Sequence, residues 1–140
     1  MQNRPTVIVY FDGFALYKAL LQRTHPEYKW LDLVGLASLL FPQRDVIAVK
    51  FFTAQLKPLT NNPKIAQRQL VYWDALRATG VEIIEGKFRF NRQWLPYRPE
   101  RLDSDGRVET VCVKRPEEKG TDVALASHLI FDAIDNKADS

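Results

Sequence analysis

Thr6-Val7-Ile8-Val9-Tyr10-Phe11-Asp12-Gly13 is the stretch on which the fold turns. Six β-branched or aromatic residues in a row leave no solvent-facing side, so the run reads as a strand covered on both faces, the kind that parallel sheets use. Asp12-Gly13 closes it. Phe14 to Arg23 then carries Leu16, Ala19, Leu20 and Arg23 at helical spacing until His25-Pro26 interrupts. Leu31 to Leu40 fits a second helix, with Asp32 near its start and Pro42 beyond its end. Val46 to Thr53 is a second strand. Asn61-Asn62-Pro63 opens a long helix with Asn62 as the expected cap, a stripe of Ile65, Gln69, Tyr72, Trp73 and Leu76, and Gly80 as its stop. Val81 to Glu85 is a third strand. Strands alternating with helices imply βαβ units, an α/β fold and a mainly parallel sheet, whose sites form at the carboxyl ends of the strands. Asp12 and Thr53 both fall at that end.

Residues 86–115 change character. Lys87-Phe88-Arg89-Phe90 and Val108 to Val113 alternate with period two, and prolines, Asp103, Ser104, Asp105 and Gly106 lie between them. The pattern predicts an antiparallel, hairpin-like insertion with a loose tip. Pro116-Glu117-Glu118 is expected to lead into a last helix over Lys119 to Ile134, with Val123, Ala126, Ile130, Ala133 and Ile134 as its apolar cover.

The 140 residues suit one domain, and 46% hydrophobic with 26% charged residues argues against disorder. No run approaches the roughly 18 apolar residues of a membrane span. Met1-Gln2-Asn3-Arg4-Pro5 lacks a signal-peptide core. The single cysteine excludes an internal disulfide and a multi-cysteine zinc site. These features favour a cytoplasmic protein. The formal charge is only +3, but residues 81–115 hold eight Lys/Arg against six Asp/Glu and residues 116–140 hold two against six. A basic middle therefore precedes an acidic end.

Two acids stand out. Asp12 directly follows a buried strand, and Asp122 falls in the first turn of the last helix. Both also have a purely structural explanation, as a helix cap and as a complement to the helix dipole. Carboxylates from two elements at one rim could hold a hard divalent cation, Mg²⁺ or Mn²⁺, able to polarise a phosphodiester and generate hydroxide. Glu118 could add a ligand or remain a solvated charge. Lys87, Arg89, Arg92 and Arg98 interleave with Phe88, Phe90, Trp94 and Tyr97, a pattern that grips phosphates and stacks bases, or that faces core on one side and water on the other. Arg115 and Lys119 flank the acids. His25, His128 and Cys112 read as structural. A phosphate-cradling Gly-Lys-Ser/Thr loop and a Ser-His-Asp pattern are both missing from the sequence.

Val7 to Tyr17 resembles the opening of the NYN domain, a branch of the PIN-like nuclease superfamily. Further blocks recur in order: Tyr28 to Leu33, Phe51 to Ala54, Gln67 to Gln69, Gly80 to Gly86, and Glu117 to Ala126. The resemblance implies a PIN-like three-layer α/β/α sandwich and a Mg²⁺- or Mn²⁺-dependent endonuclease, usually acting on RNA, with Asp12 and Asp122 as catalytic metal-site carboxylates and Glu118 beside them. Lys87, Arg89, Arg92, Trp94, Arg115 and Lys119 are then the expected nucleic-acid contacts. Two departures matter. Ala15 stands where the family usually has Asn. The family's following strand and acidic motif do not occur by Ser140, which leads us to expect one truncated domain, or a sheet completed by a second copy or a partner chain, with Val7 and Val9 exposed at an open edge. The alternative to the enzyme is a catalytically incomplete nucleic-acid-binding or protein-interaction module.

Overall fold

The computed structural model describes residues 4–22, 25–57 and 62–140; the readings at residues 1–3, Arg23 and Asn61, and the side chain of Leu20, lie outside these. β1 (Thr6–Asp12) pairs parallel with β2 (Asp45–Ala54), placing Val9 opposite Val49 and Phe11 opposite Phe51. β3 (Val81–Pro96) continues the parallel sheet, with Phe51 opposite Ile83, and β4 (Thr110–Lys119) adds antiparallel, giving the order β1-β2-β3-β4. The chain is thus a mixed α/β protein on a mostly parallel sheet. None of its described helices is long and apolar enough to cross a membrane.

The alternation of the parallel strands decides what each face of the sheet packs against. Val7, Val9, Val49, Phe51 and Val81 point to one side and meet Leu33 and Ala37 of α2 (Leu33–Leu40) and Trp73 and Leu76 of α3 (Ile65–Ala78). Asp32 caps α2 through hydrogen bonds from the Val34 and Gly35 amides at 3.0 and 3.1 Å. The cap position of α3 is Lys64 rather than Asn62, whose side chain instead accepts from Arg68 at 2.9 Å. Val7 and Val9 are buried, contrary to the open-edge expectation, because an edge strand exposes backbone and not the side chains that face α2 and α3. At that edge the Ile8 amide donates to the Ser140 carbonyl at 3.1 Å, and Asp139 accepts from the Thr6 amide at 2.7 Å.

α4 (Thr121–Ile134) contacts the strands from the opposite face, and here the expected apolar cover is overturned. Val123, Ile130 and Ile134 are 70%, 57% and 68% exposed, whereas Thr121 and Asp132 are buried. The reason lies across the interface. Tyr10 and Lys50 sit at alternate strand positions that face α4. The buried Asp132 carboxylate accepts from Lys50 Nζ at 2.5 Å and Tyr10 OH at 2.7 Å, while its other oxygen accepts from Lys137 at 2.9 Å. His128 completes the group, its Nδ1 3.3 Å from Lys50 Nζ and its ring edge-on to Phe52. An unpaired buried ion costs several kcal/mol. An isoleucine left in water forgoes only about 1.5–3 kcal/mol. The ionic stripe therefore turns inward.

The third strand and the insertion are one element. β3 runs parallel to β2 as far as Gly86 and then, from Lys87, antiparallel to β4, so Glu117 and Glu118 belong to a strand and the last helix begins only at Thr121. Proline hides this, because Pro116 suggests a helix start but is paired opposite Phe90 in the ladder. Nor is the hairpin tip loose. Asp103 accepts from the Asp105 and Arg107 amides at 2.9 and 2.8 Å, and Leu102 bridges to Val108.

Hydrogen bonds from Lys50 first, then Tyr10 and Lys137, hold the Asp132 carboxyl well below the usual carboxylate range. A depressed acid stabilises the fold above its unfolded pKa, about 3.9, and loses that contribution as pH falls toward the folded value. Asp132→Asn should destabilise the protein at pH 7 by about 3 kcal/mol. The deficit should shrink as pH falls below about 4, where Asp132 of the unfolded wild-type chain takes up a proton that the folded carboxylate does not. Urea titrations at neutral and acid pH measure both, and a pH-independent deficit would contradict the assignment.

Candidate functional site

Asp12 ends β1, and the chain must turn at once into α1 (Gly13–Leu16). A Cβ on residue 13 would lie 2.6 Å from the Phe51 ring and 2.8 Å from the Phe52 carbonyl, so only glycine lets the turn press this closely on β2. Asp12 Oδ1 accepts from the Phe14 and Ala15 amides, both at 3.0 Å. The structural role foreseen for Asp12 is therefore real, and it occupies one carboxylate oxygen. The helix continues into a π-helical turn over Tyr17–Gln22, which carries Lys18.

The other two acids come from the far end of the chain. Gly120, at φ 89°, takes the left-handed conformation needed between β4 and α4. Glu118 precedes it in β4 and accepts a hydrogen bond from the Thr121 hydroxyl, while Asp122 falls in the first turn of α4. Asp12, Glu118 and Asp122 line one cleft of about 770 Å³, whose walls also carry Lys18, Arg92 and Arg115. Burial raises the Glu118 carboxyl above its ordinary value, and the charges of Asp12 and Asp122 push it further up against the opposing effect of Thr121. Glu118 thus feels the charge of both aspartates.

The donors are all carboxylate oxygens, which suits Mg²⁺ or Mn²⁺ and not a soft metal. Among the described residues, no three His, Cys, Asp or Glu side chains form a group that could hold a metal ion by themselves. What fits this set is a largely hydrated cation on one or two carboxylates, the habit of Mg²⁺.

The basic residues are divided. Of the six expected nucleic-acid contacts, Arg92 and Arg115 line the cleft and Lys87, Arg89, Trp94 and Lys119 do not. The two that line the cleft come from opposite faces of the β3–β4 ribbon, since directly opposed residues share a face. Lys87, Arg89, Arg115 and Lys119 belong to one face of the β3–β4 ribbon, and Arg92 and Trp94 to the other. Lys119 is already engaged, donating to Glu117 at 2.6 Å, and that contact is the main cause of a lowered Glu117 carboxyl. Trp94 is 68% exposed, so the ribbon does not follow the pattern of aromatic residues inside and arginine outside. His128 lies at the Lys50–Asp132 centre, His25 bonds Glu27 at 3.1 Å, and Cys112 is exposed opposite Trp94.

Lys18 and Phe14 line the cleft without having been singled out from the sequence. Lys18 Nζ stands 4.4 Å above the Phe14 ring, a cation–π contact that places the charge on the cleft wall. The signal was a Phe-x-x-x-Lys spacing directly after Asp12, which reads as ordinary helix.

The capping geometry makes a separate prediction. Asp12→Ala should cost about 1 kcal/mol of stability, whereas Asp12→Asn, an equally good cap, should stay within a few tenths. Chemical denaturation of the two variants measures the difference, and equal losses would show that the cap contributes nothing.

Scans against protein-family models, curated proteins and solved structures find no match to this chain.

Proposed function

We propose that this chain is a metal-dependent endoribonuclease of the NYN kind, on a PIN-like α/β/α architecture, acting in the cytoplasm where its lone cysteine stays reduced. The observation that carries the reading is the cleft in which Asp12, Glu118 and Asp122 meet Lys18, Arg92 and Arg115 at the carboxyl ends of the parallel strands. Acids for a cation and cationic side chains for a phosphate in one cleft suit phosphodiester hydrolysis. Asp12 and Asp122 would hold Mg²⁺ or Mn²⁺, with Glu118 adjoining them. Such an ion, when bound, lowers the pKa of a water and offsets charge on phosphoryl oxygens. Arg92 and Arg115 grip the RNA backbone and orient its phosphate toward the acids, and Lys18 adds a third positive charge. Asp12 has a double duty, since its capped oxygen holds the carboxylate still and leaves the other free for the cation.

The experiment is incubation of labelled single-stranded RNA with Mn²⁺ or Mg²⁺, beside EDTA and Asp12→Asn controls. Metal-dependent cleavage is expected, reduced by about a hundredfold or more in the variant. Because asparagine keeps the cap, the loss reads on chemistry and not on folding. Undiminished cleavage by Asp12→Asn, or none by folded wild type, would overturn the proposal.

Two observations favour a second reading, a nucleic-acid-binding module without catalysis. The three acids do not form a self-sufficient ligand group, and Ala15 presents no polar side chain beside them. That reading predicts salt-sensitive RNA binding without turnover, weakened by charge reversal at Arg89 and Arg92.

A further inference from the structure

A second cavity, of about 450 Å³, adjoins the acidic cleft. The two share Phe14, Lys18 and Glu118. Its size falls within the roughly 300–1,000 Å³ of sites that take small organic groups. Its walls are aromatic, with Phe14, Trp30, Tyr72 and Phe88 converging from four separate elements or turns. Lys18, Lys29 and Arg68 also line it. Phe14 and Phe88 meet edge to face at 6.4 Å, as do Trp30 and Tyr72 at 5.7 Å. Tyr72 is locked, its hydroxyl donating to the Leu31 carbonyl at 2.8 Å, and burial pushes its phenol up to about 12. Gln69 fixes another part of the lining by accepting from the Leu56 amide at 2.8 Å and donating to the Ala54 carbonyl at 3.0 Å. Trp30 is 58% exposed and keeps ring surface available.

Rigid aromatic surface ringed by cations, opening onto a cleft built for phosphate, matches the two halves of a nucleotide. A purely apolar peptide would leave Lys18, Lys29 and Arg68 with a single carboxylate, Glu118, among them on the lining. We propose that this cavity takes one unstacked base of the single-stranded RNA whose backbone passes through the acidic cleft, so that base capture sets which phosphate meets the carboxylates. The assignment rests on the nucleic-acid reading above and gives it a substrate form, single-stranded or looped RNA.

The test is fluorescence anisotropy in EDTA, where no metal-dependent cleavage intervenes, using a short labelled single-stranded RNA and the same strand made abasic. The base-bearing strand should bind about tenfold more tightly, the effect of one stacked base. Trp30→Ala should remove most of that preference while leaving abasic binding within about twofold, and Trp30→Phe should restore it. Circular dichroism confirms that this exposed site tolerates the change. Equal affinity for the two strands, or equal weakening of both by Trp30→Ala, would overturn the pocket, as would competition by free uridine monophosphate as effective as that by the strand. Base-dependent binding by a protein that cuts no RNA retains the pocket and removes the nuclease; cleavage without base preference does the reverse.

Discussion

The buried contact between Lys50 and Asp132 governs more of this molecule than any apolar cluster does. Lys50 is fixed by strand alternation on the face that α4 must cover, and a buried ammonium there needs a counter-charge. Asp132 supplies it, so the rotation of α4 about its axis is set by an ion pair. Thr121, eleven residues earlier and three helical turns away, falls on the same inward face and is buried, where it meets Glu118. Asp122 follows Thr121 and lines the cleft with Glu118 and Asp12. A pairing beneath one end of the helix thus positions an acid at the other. The same rotation leaves Val123, Ile130 and Ile134 in water.

Much of the frame was legible. The unbroken run at Val7 and the strand-forming stretch from Val46 to Thr53 announced parallel strands, and their alternation with helices announced a mixed α/β fold. What failed was reading each segment alone. Val123, Ile130 and Ile134 form a good apolar stripe, and the sequence of α4 contains nothing to say that the partner surface carries Lys50 and Tyr10. The same holds for Val81 to Pro96, where the change from a buried to a two-faced pattern marks not a boundary but a change of partner, from β2 to β4 along one strand. Pro116 then concealed the end of β4, so Glu117 and Glu118, expected to lead into the helix, belong instead to a strand.

The candidate site was legible in its acids and less so in its cations. Asp12 and Asp122 are marked by position relative to strand and helix ends, and both line the cleft with Glu118. Lys87, Arg89, Arg92 and Arg115 all look equivalent in composition, yet only Arg92 and Arg115 line the cleft, one from each face of the ribbon. Lys18 was passed over because its spacing from Phe14, four residues on, reads as an ordinary helical pair. Charges are easy to count in a sequence, but the side of a ribbon that carries each of them is a long-range property.

The central proposal is that Asp12 and Asp122, with Glu118 adjoining them, hold a largely hydrated divalent cation. Titration of the protein with Mn²⁺, following free ion by electron paramagnetic resonance, tests it without reference to any substrate. The account predicts saturable binding that weakens at least about tenfold in Asp122→Asn. Failure of folded wild type to bind Mn²⁺, or binding unchanged by Asp122→Asn, would contradict it.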